Sequence, residues 1–315
     1  MDFHEATSLL GRLRDNVGAV LLGKGPEVDL VLASFLAGGH VLLDDIPGTG
    51  KTTLARAIAA SVSGSFRRLQ FTSDLLPQDV LGVHVFDAER KSFAFSPGPL
   101  FANIVLADEI NRSSPRAQSA LLEAMSERQV TVDNRTYELP DPFLVIATQN
   151  PYEQHGTYPL PESQLDRFNL RVRLDYPDRE SELRLIREND LFTARNGIGP
   201  VVGPDQVLAL RSMARAVAVR DTLIAYIHRI VEATREHRAV RLGASPRGAI
   251  GLKSTAQALA FLSGRDHVVP GDIRAAAPAV LCHRVFLKGA PGGDADIEAG
   301  EAILAEILET IPAPL

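Results

Sequence analysis

The stretch Val41-Leu42-Leu43-Asp44-Asp45-Ile46-Pro47-Gly48-Thr49-Gly50-Lys51-Thr52 joins an apolar strand, a glycine-containing loop and the start of a helix. Gly48 and Gly50 allow backbone N–H groups to turn around an anion. Lys51 can reach the outer phosphates of a nucleotide, and Thr52 offers a hydroxyl to Mg²⁺. The helix that follows directs its positive end at the same phosphates. The residues expected to contact the nucleotide here are Pro47, Gly48, Thr49, Gly50, Lys51, Thr52 and Thr53.

One position departs from the usual phosphate-loop pattern. The pattern G-x-x-x-x-G-K-[ST] has glycine where this chain has Asp45. Because a carboxylate near a triphosphate would repel it, we expect Asp45 to point away from the loop. The alternative interpretation is a glycine-rich turn that binds nothing.

A second apolar run, residues 104–107, ends in Asp108 and Glu109. Such continuous apolar residues are typical of a strand covered on both faces. Behind a phosphate loop this is a Walker B element, in which Asp108 supports Mg²⁺ and Glu109 polarises the attacking water as general base. The alternative is a solvated strand end.

Residues 144–148 predict a further buried strand, which delivers Gln149 and Asn150 just before Pro151. A neutral amide at this place can orient the attacking water without competing for its proton. Asn before Pro is also a common turn combination, so a plain turn role for Asn150 stays open.

Two arginines complete the predicted site. Arg167 follows a polar helical stretch and precedes an alternating strand, residues 169–174, which puts it at the rim of the module. Arg247 follows Ser245, a good N-cap, and Pro246, a good first helical residue, so it falls in the first turn of a helix. A cation there opposes the helix dipole and suggests a compensating external anion. Since the chain has 33 Lys and Arg residues, solvated surface roles are the alternative.

Further short blocks of sequence lie in order along nearly the whole chain. They are Leu22-Gly23, Gly38-Gly39-His40-Val41-Leu42-Leu43, Phe71-Thr72-Ser73-Asp74-Leu75-Leu76-Pro77, Gly98-Pro99-Leu100-Phe101-Ala102-Asn103, Asp108-Glu109-Ile110-Asn111-Arg112, Gln118-Ser119-Ala120-Leu121-Leu122-Glu123-Ala124-Met125, Ala147-Thr148-Gln149-Asn150-Pro151, Leu165-Asp166-Arg167-Phe168, Ser245-Pro246-Arg247 and Leu281-Cys282-His283-Arg284. Together with the motifs above, these blocks resemble the MoxR-type AAA+ ATPases.

The resemblance implies a fold and roles for single residues. The fold is α/β: a P-loop NTPase module of AAA+ type whose parallel sheet is covered by helices, plus an all-α C-terminal lid. By resemblance, Asn150 is the sensor 1 residue, Arg167 a finger acting in trans and Arg247 the sensor 2 arginine, in its own subunit or a neighbour's. Gly23 would border the adenine. Members of this family are similar in carrying an acidic residue at the position of Asp45.

The hydrophobic pattern changes after residue 174. Apolar strands alternate with helices before this point, and helical patterns alone follow it. We therefore predict an ATPase core over residues 1–175 and a helical lid over residues 176–315. The predicted lid helices cover residues 179–191, 204–214, 220–237, 246–262, 270–282 and 296–311.

Two stretches exceed a minimal phosphate-loop fold. Residues 82–86 and 92–95 alternate like strands around a charged tip, and residues 129–132 and 136–139 do the same. Both predict β-hairpins. By resemblance they are the helix-2 insert and the pre-sensor 1 hairpin, which project toward a ring axis or an adjacent face. Surface decoration is the alternative.

Composition excludes several classes of protein. The net charge of −6 and the absence of a long basic run argue against a nucleic-acid surface. The single cysteine, Cys282, cannot form an internal disulfide and favours a reducing compartment, the cytoplasm. The scattered histidines predict no transition-metal site. The acidic start of the chain is unlike a signal peptide, and the interrupted apolar run 31–43 is too short to span a bilayer, so we expect no membrane insertion.

The motifs predict Mg²⁺-dependent ATP hydrolysis, and the resemblance implies a ring of identical subunits, with a hexamer as the expected form. The resemblance implies a chaperone-like motor that matures or remodels protein complexes, with a protein client and a separate partner carrying a von Willebrand factor A domain. A chelatase-type motor subunit, a DNA translocase and a nucleotide switch without turnover are alternatives. Glu109, Asn150 and Arg167 together argue against the switch. The acidic net charge and the lack of a recognisable DNA-binding module argue against the translocase.

Overall fold

The structure is a computed structural model that describes residues 1–44, 48–89, 91–149, 157–188, 198–289 and 294–314. Helices and strands alternate in its first part, as the sequence predicts. The helices are α1 (Phe3–Gly18), α2 (Gly25–Ala37), α3 (Lys51–Ser61), α4 (Pro77–Leu81), α5 (Pro115–Glu127) and α6 (Glu162–Leu165). The strands are β1 (Val41–Asp44), β2 (Phe66–Gln70), β3 (Gly82–Asp87), β4 (Ser92–Pro97), β5 (Ile104–Asp108), β6 (Gln129–Val132), β7 (Arg135–Glu138), β8 (Leu144–Gln149) and β9 (Leu170–Arg173).

Five strands form the central sheet in the order β2-β5-β8-β1-β9, and all neighbouring pairs are parallel. This confirms the predicted parallel sheet. Because parallel strands end on the same side, the last residues of β1, β5 and β8, which are Asp44, Asp108 and Gln149, lie at one edge, here called the carboxyl edge. The opposite side, where β1 begins at Val41 and β9 begins at Leu170, is called the amino edge. Ligands of such sheets bind at the carboxyl edge.

The sheet is buried on both faces because its central strands are apolar throughout. Leu43 and Ile146 belong to the hydrophobic cluster that includes α1, α2 and α3, whereas Leu42 and Val145 belong to the cluster that includes α5. All four side chains are fully buried, which stabilises the fold by about 1.5–3 kcal/mol for each such residue. The sheet therefore provides a rigid scaffold for the loops at its edges.

The second part of the chain is mainly helical, as predicted. Its helices are α7 (Arg179–Glu188), α8 (Pro204–Ala216), α9 (Asp221–Glu236), α10 (Pro246–Leu262), α11 (Pro270–Leu281) and α12 (Asp294–Thr310). The bounds of α10 equal the predicted ones, and the predicted continuation of α7 falls on residues outside the described ranges. The lid also contains a short antiparallel ladder of β10 (Val240–Leu242) and β11 (Phe286–Leu287), which corrects the prediction of an all-helical lid. Strands this short show no recognisable hydrophobic period in the sequence. Over the described ranges, no helix combines the length and apolar character needed to cross a bilayer.

The two predicted hairpins are present and contact each other. β3 pairs with β4, and β6 pairs with β7, both antiparallel. Phe95 of the first hairpin stacks on Tyr137 of the second, with ring centroids 4.0 Å apart. His84 lies between the hairpins, with Nδ1 2.9 Å from Asp133 Oδ2 and Nε2 3.0 Å from the Tyr137 hydroxyl. The hairpins therefore form one packed unit.

Candidate active site

The phosphate loop enters α3 through two glycines in left-handed conformations. Gly48 has φ +85° and Gly50, the N-cap of α3, has φ +96°. A Cβ on Gly50 would also approach Leu21 Cδ1 to 2.9 Å, so the position requires glycine for two reasons. Within the described part of the chain, no side chain caps α3. The start of a helix directs its N–H groups and the positive end of its dipole at an anion, which suits this place to phosphate.

The other predicted loop residues differ in exposure. Thr49 is buried, whereas Lys51, Thr52 and Thr53 are partly exposed in the first turn of α3. Burial lowers the pKa of Lys51, and Arg68 lowers it further, while the Asp108 and Glu109 carboxylates oppose this change. Lys51 therefore interacts electrostatically with both acids of the predicted Walker B element. Pro47 and Asp45 lie outside the described residues.

Asp108 ends β5 as a buried carboxylate and already has a cationic partner. Arg68 Nε is 2.6 Å from Asp108 Oδ2, and the Thr148 hydroxyl donates to Asp108 Oδ1 at 3.3 Å. The guanidinium of Arg68 reaches the acid from the neighbouring strand β2, where its side chain is 52% exposed. Arg68 thus neutralises the acid that is predicted to support the metal. Sequence reasoning did not single out Arg68.

Glu109 has φ +56° and ψ +49°, a left-handed conformation that is uncommon for a residue other than glycine. Its N–H donates to the Thr148 hydroxyl at 2.9 Å, which fixes the turn. Gln70 Nε2 donates to Glu109 Oε2 at 2.8 Å, and Arg112 Nε lies 3.2 Å from the same oxygen. Conformations of this kind cost about 1–3 kcal/mol and cluster at functional sites. The carboxylate is thereby held at the carboxyl edge.

A buried ion pair lies below the loop. Arg171 of β9 donates to both carboxylate oxygens of Asp44 at 2.8–3.0 Å, and Gln149 Nε2 donates to the same carboxylate at 3.2 Å. These contacts tie the ends of β1 and β8 to β9. Sequence reasoning missed this pair, because an arginine between Leu170 and Val172 looks like the solvent-facing residue of an alternating strand.

Asn150 and Gly23 are the remaining predicted contacts of the nucleotide. Asn150 lies outside the described residues. Gly23 has φ +73°, and a Cβ there would lie 2.4 Å from Asp178 Oδ2 and 2.7 Å from Ser181 Oγ. Gly23 therefore packs closely against the start of α7, and the contact with adenine stays a prediction.

The two predicted arginines do not join the other site residues. Arg167 lies at the amino edge, three residues before β9, where its Nη1 donates to Leu122 O at 2.8 Å. Arg247 is exposed in the first turn of α10. The N-cap of that helix, Ser245, donates to Asp166 Oδ1 at 2.9 Å and so holds this end of α10 at the amino edge too. The phosphate loop and the two arginines are thus at opposite edges of one sheet.

Comparisons with known proteins show the family to which the two parts of the chain belong. Residues 40–170 match the ATPase family associated with various cellular activities (AAA), and residues 232–307 match the AAA lid domain. The uncharacterised protein YeaC of Bacillus subtilis is 47% identical over 98% of this chain and 95% of its own length. Chaperone MoxR1 of Mycobacterium tuberculosis is 38% identical over 95% of this chain and 80% of its own.

A solved structure is similar over the whole chain. The crystal structure of a Cytophaga hutchinsonii protein assigned as an ATPase has a TM-score of 0.90 and 38% identity, covering 99% of this chain and 97% of that one. The whole-length relatives and the AAA match establish ATP hydrolysis as the activity of the fold. The chain belongs to the MoxR family of AAA ATPases.

Proposed function

We propose that this ATPase uses Mg²⁺, acts as a ring of identical subunits and remodels protein complexes. Lys51 and the first-turn amides of α3 would hold the nucleotide phosphates, and Thr52 and Asp108 would hold the metal. Hydroxyl and carboxylate oxygens are ligands that Mg²⁺ prefers, so this donor set fits the ion. When bound, Mg²⁺ neutralises phosphate charge and orients the reacting oxygens.

Glu109 is the proposed base for the attacking water. Gln70 and Arg112 both contact Oε2 of its carboxylate, so the attacking water would give its proton to Oε1. Asn150 is the proposed water-orienting residue. Replacing Glu109 with glutamine should preserve nucleotide binding and reduce hydrolysis about 10²- to 10⁴-fold, since the amide cannot accept the proton.

The matched control for this test is Glu123→Gln, an exposed glutamate on α5. This variant should keep wild-type affinity and turnover, both measured in the same assays. Wild-type turnover in Glu109→Gln would exclude Glu109 as the base.

The observation that carries the ring proposal is the position of Arg167 and Arg247 at the amino edge. The phosphate loop leaves the same sheet from the carboxyl edge, and the four residues of β1 separate the edges by about 13 Å. This separation supports action of both arginines on a neighbouring subunit. Contacts of one edge with the opposite edge of the next copy are head-to-tail, and such contacts form a ring when the rotation between copies closes. A hexamer is the proposed form.

A mixing experiment tests this proposal. Arg167→Ala subunits keep an intact phosphate loop, and Lys51→Ala subunits keep an intact finger, so each alone should be nearly inactive. An arginine finger contributes about 10³–10⁵ in rate. In an equal mixture about one quarter of head-to-tail interfaces pair an intact loop with an intact finger, so about a quarter of wild-type activity should return.

The control mixture contains Arg167→Ala subunits and subunits with both substitutions, and it should stay inactive. Mixed rings without recovered activity would contradict a finger supplied by the neighbour. Activity of wild-type protein that does not change on dilution to monomer would contradict the ring.

The remodelling role is supported by two further observations. The relative MoxR1 is named a chaperone, and the first hairpin exposes the cross-strand pair Phe86 and Phe93 at 55% and 68%. Exposed apolar pairs of this kind suit protein contact. We extend the proposal to a protein client and a separate von Willebrand factor A partner in the cytoplasm, with the core over residues 1–175 and the lid over residues 176–315.

Capture by the Glu109→Gln form, followed by identification of the bound proteins, tests this part. The expected result is one or a few proteins that leave when ATP is removed. Equal capture with and without ATP would contradict a remodelling cycle.

A further inference from the structure

Asp166, directly beside Arg167, is a core carboxylate that contacts two residues of the lid. Arg284 Nε donates to Asp166 Oδ1 at 2.8 Å. The hydroxyl of Ser245 donates to the two oxygens of the same carboxylate at 2.9 and 3.0 Å. Ser245 is the N-cap of α10, two residues before Arg247. Asp166 therefore precedes Arg167 in the chain and is hydrogen-bonded to a residue two positions before Arg247, the second arginine that we propose to act in trans.

Arg284 also holds the backbone around Asp166. It is 3% exposed, and its Nη1 donates to Asn169 O at 3.2 Å. Its Nη2 donates to Phe168 O and Asp166 O. The preceding residue, His283, contributes an Nε2 contact to Phe168 O at 3.1 Å. Two consecutive lid residues therefore hold the backbone of the segment that carries Arg167.

Without the contacts of Asp166 and Arg284, the core would position Arg167 and the lid would position Arg247. The guanidinium of Arg167 contacts Leu122 O and the Ser126 hydroxyl of the core helix α5. Arg247 belongs to the lid helix α10. Errors of about 1 Å in the position of a catalytic group can cost about 100-fold in rate. Two cations that serve one phosphate group need a fixed separation.

We propose that Asp166 and Arg284 are positioning residues that hold Arg167 and Arg247 as one unit against the neighbouring subunit's nucleotide. The proposal rests on the trans action of these arginines proposed above. Asp166 offsets the charge of Arg284 and, through Ser245, joins the N-terminus of α10 to the segment that carries Arg167. Movement of the lid on its own nucleotide is then carried to Arg167, and through it to the next subunit.

The mixing experiment can locate this effect. Arg167→Ala subunits act as acceptors, and Lys51→Ala subunits act as donors of arginines. Asp166→Asn placed in the donor alone should lower kcat of the mixture about 10- to 100-fold, with KM for ATP changed less than about twofold. The same substitution placed in the acceptor alone should change kcat less than about twofold, because the acceptor's own arginines face interfaces that are already inactive.

The matched control is Glu162→Gln in the donor. Glu162 pairs with Arg241 and also joins core to lid, but it is four residues from Asp166 and contacts neither trans arginine. This variant should leave the mixture within about twofold of the parent mixture. Incorporation of each donor into rings is measured by size-exclusion chromatography.

The outcomes separate the two proposals. Without recovery in the parent mixture, the trans assignment itself fails, and the positioning role fails with it. With recovery, equal loss from donor and acceptor placement, or no loss from either, overturns the positioning role alone. If Asp166→Asn donors do not enter rings, Ser245→Ala, which removes only a hydroxyl, is measured in the same two placements. A smaller loss confined to the donor is then expected, and a loss shared by both placements overturns the proposal.

Discussion

Replacing Arg171 with methionine should lower the free energy of unfolding by about 3–5 kcal/mol. The Arg171 guanidinium donates to both oxygens of Asp44 at 2.8–3.0 Å, and the two side chains are only 7% and 5% exposed. Methionine keeps much of the volume but leaves the Asp44 charge buried beside Gln149, a neutral donor. The expected loss is a large fraction of the 5–15 kcal/mol typical of a folded domain.

Urea unfolding followed by circular dichroism measures the effect, with the double variant Asp44→Leu/Arg171→Met as control. The double variant removes both charges, so it should be more stable than Arg171→Met by at least about 2 kcal/mol. A second control uses Arg14 and Asp29, which are joined at 2.6 Å but are 51% and 23% exposed. Arg14→Met should cost less than about 1 kcal/mol, because water screens this pair.

Two results would refute this reasoning. A loss below about 1 kcal/mol in Arg171→Met would show that the pair contributes no more than a surface ion pair. A double variant no more stable than the single one would show that methionine destabilises through packing and not through the unpaired Asp44 charge.

Three further predictions concern pH, metal and client. Burial lowers the pKa of His40 to about 4 from 6.5, so on acidification the unfolded chain takes up a proton before the folded chain does. Stability should therefore fall by about 2 kcal/mol between pH 7 and pH 5, and urea unfolding of His40→Gln should lack this part of the slope; an unchanged slope contradicts the assignment. Arg68→Ala removes a cation that competes for Asp108, so the Mg²⁺ concentration for half-maximal hydrolysis should fall about two- to fivefold, whereas a rise would contradict competition. Serine at both Phe86 and Phe93 should leave basal hydrolysis within about twofold of wild type, because surface changes rarely affect the fold. The same change in the hydrolysis-deficient Glu109→Gln form should abolish client capture. Undiminished capture would exclude this hairpin as a client contact.

The candidate residues of the nucleotide site could be selected from the sequence because each motif is local in it. Gly48 and Gly50 precede a helix, and the conformations they adopt are the ones that glycine permits. Asp108 and Glu109 follow an apolar run, which marks the end of a buried strand. The bounds of α10 and the existence of both hairpins follow from equally short patterns of caps, turns and alternation.

The contacts that hold these parts together could not be predicted in this way. Asp44 and Arg171 are 127 residues apart, and Arg68 and Asp108 are 40 apart. Each pair forms because of the strand order β2-β5-β8-β1-β9, which makes β1 adjacent to β9 and β2 adjacent to β5. In sequence, an arginine of either pair looks like a solvated side chain, since no local pattern encodes which strands become neighbours.

The edge at which Arg247 lies is likewise a property of packing. The sequence indicates a helix start with a cation in its first turn, but it is equally compatible with either edge of the sheet. The contacts of Asp166 with Ser245 and Arg284 span 79 and 118 residues and hold the lid at the amino edge. Residue types and short spacings thus identify groups able to handle ATP. The direction from which we propose that the arginines act depends on lid docking, because that direction arises only when distant segments of the chain meet.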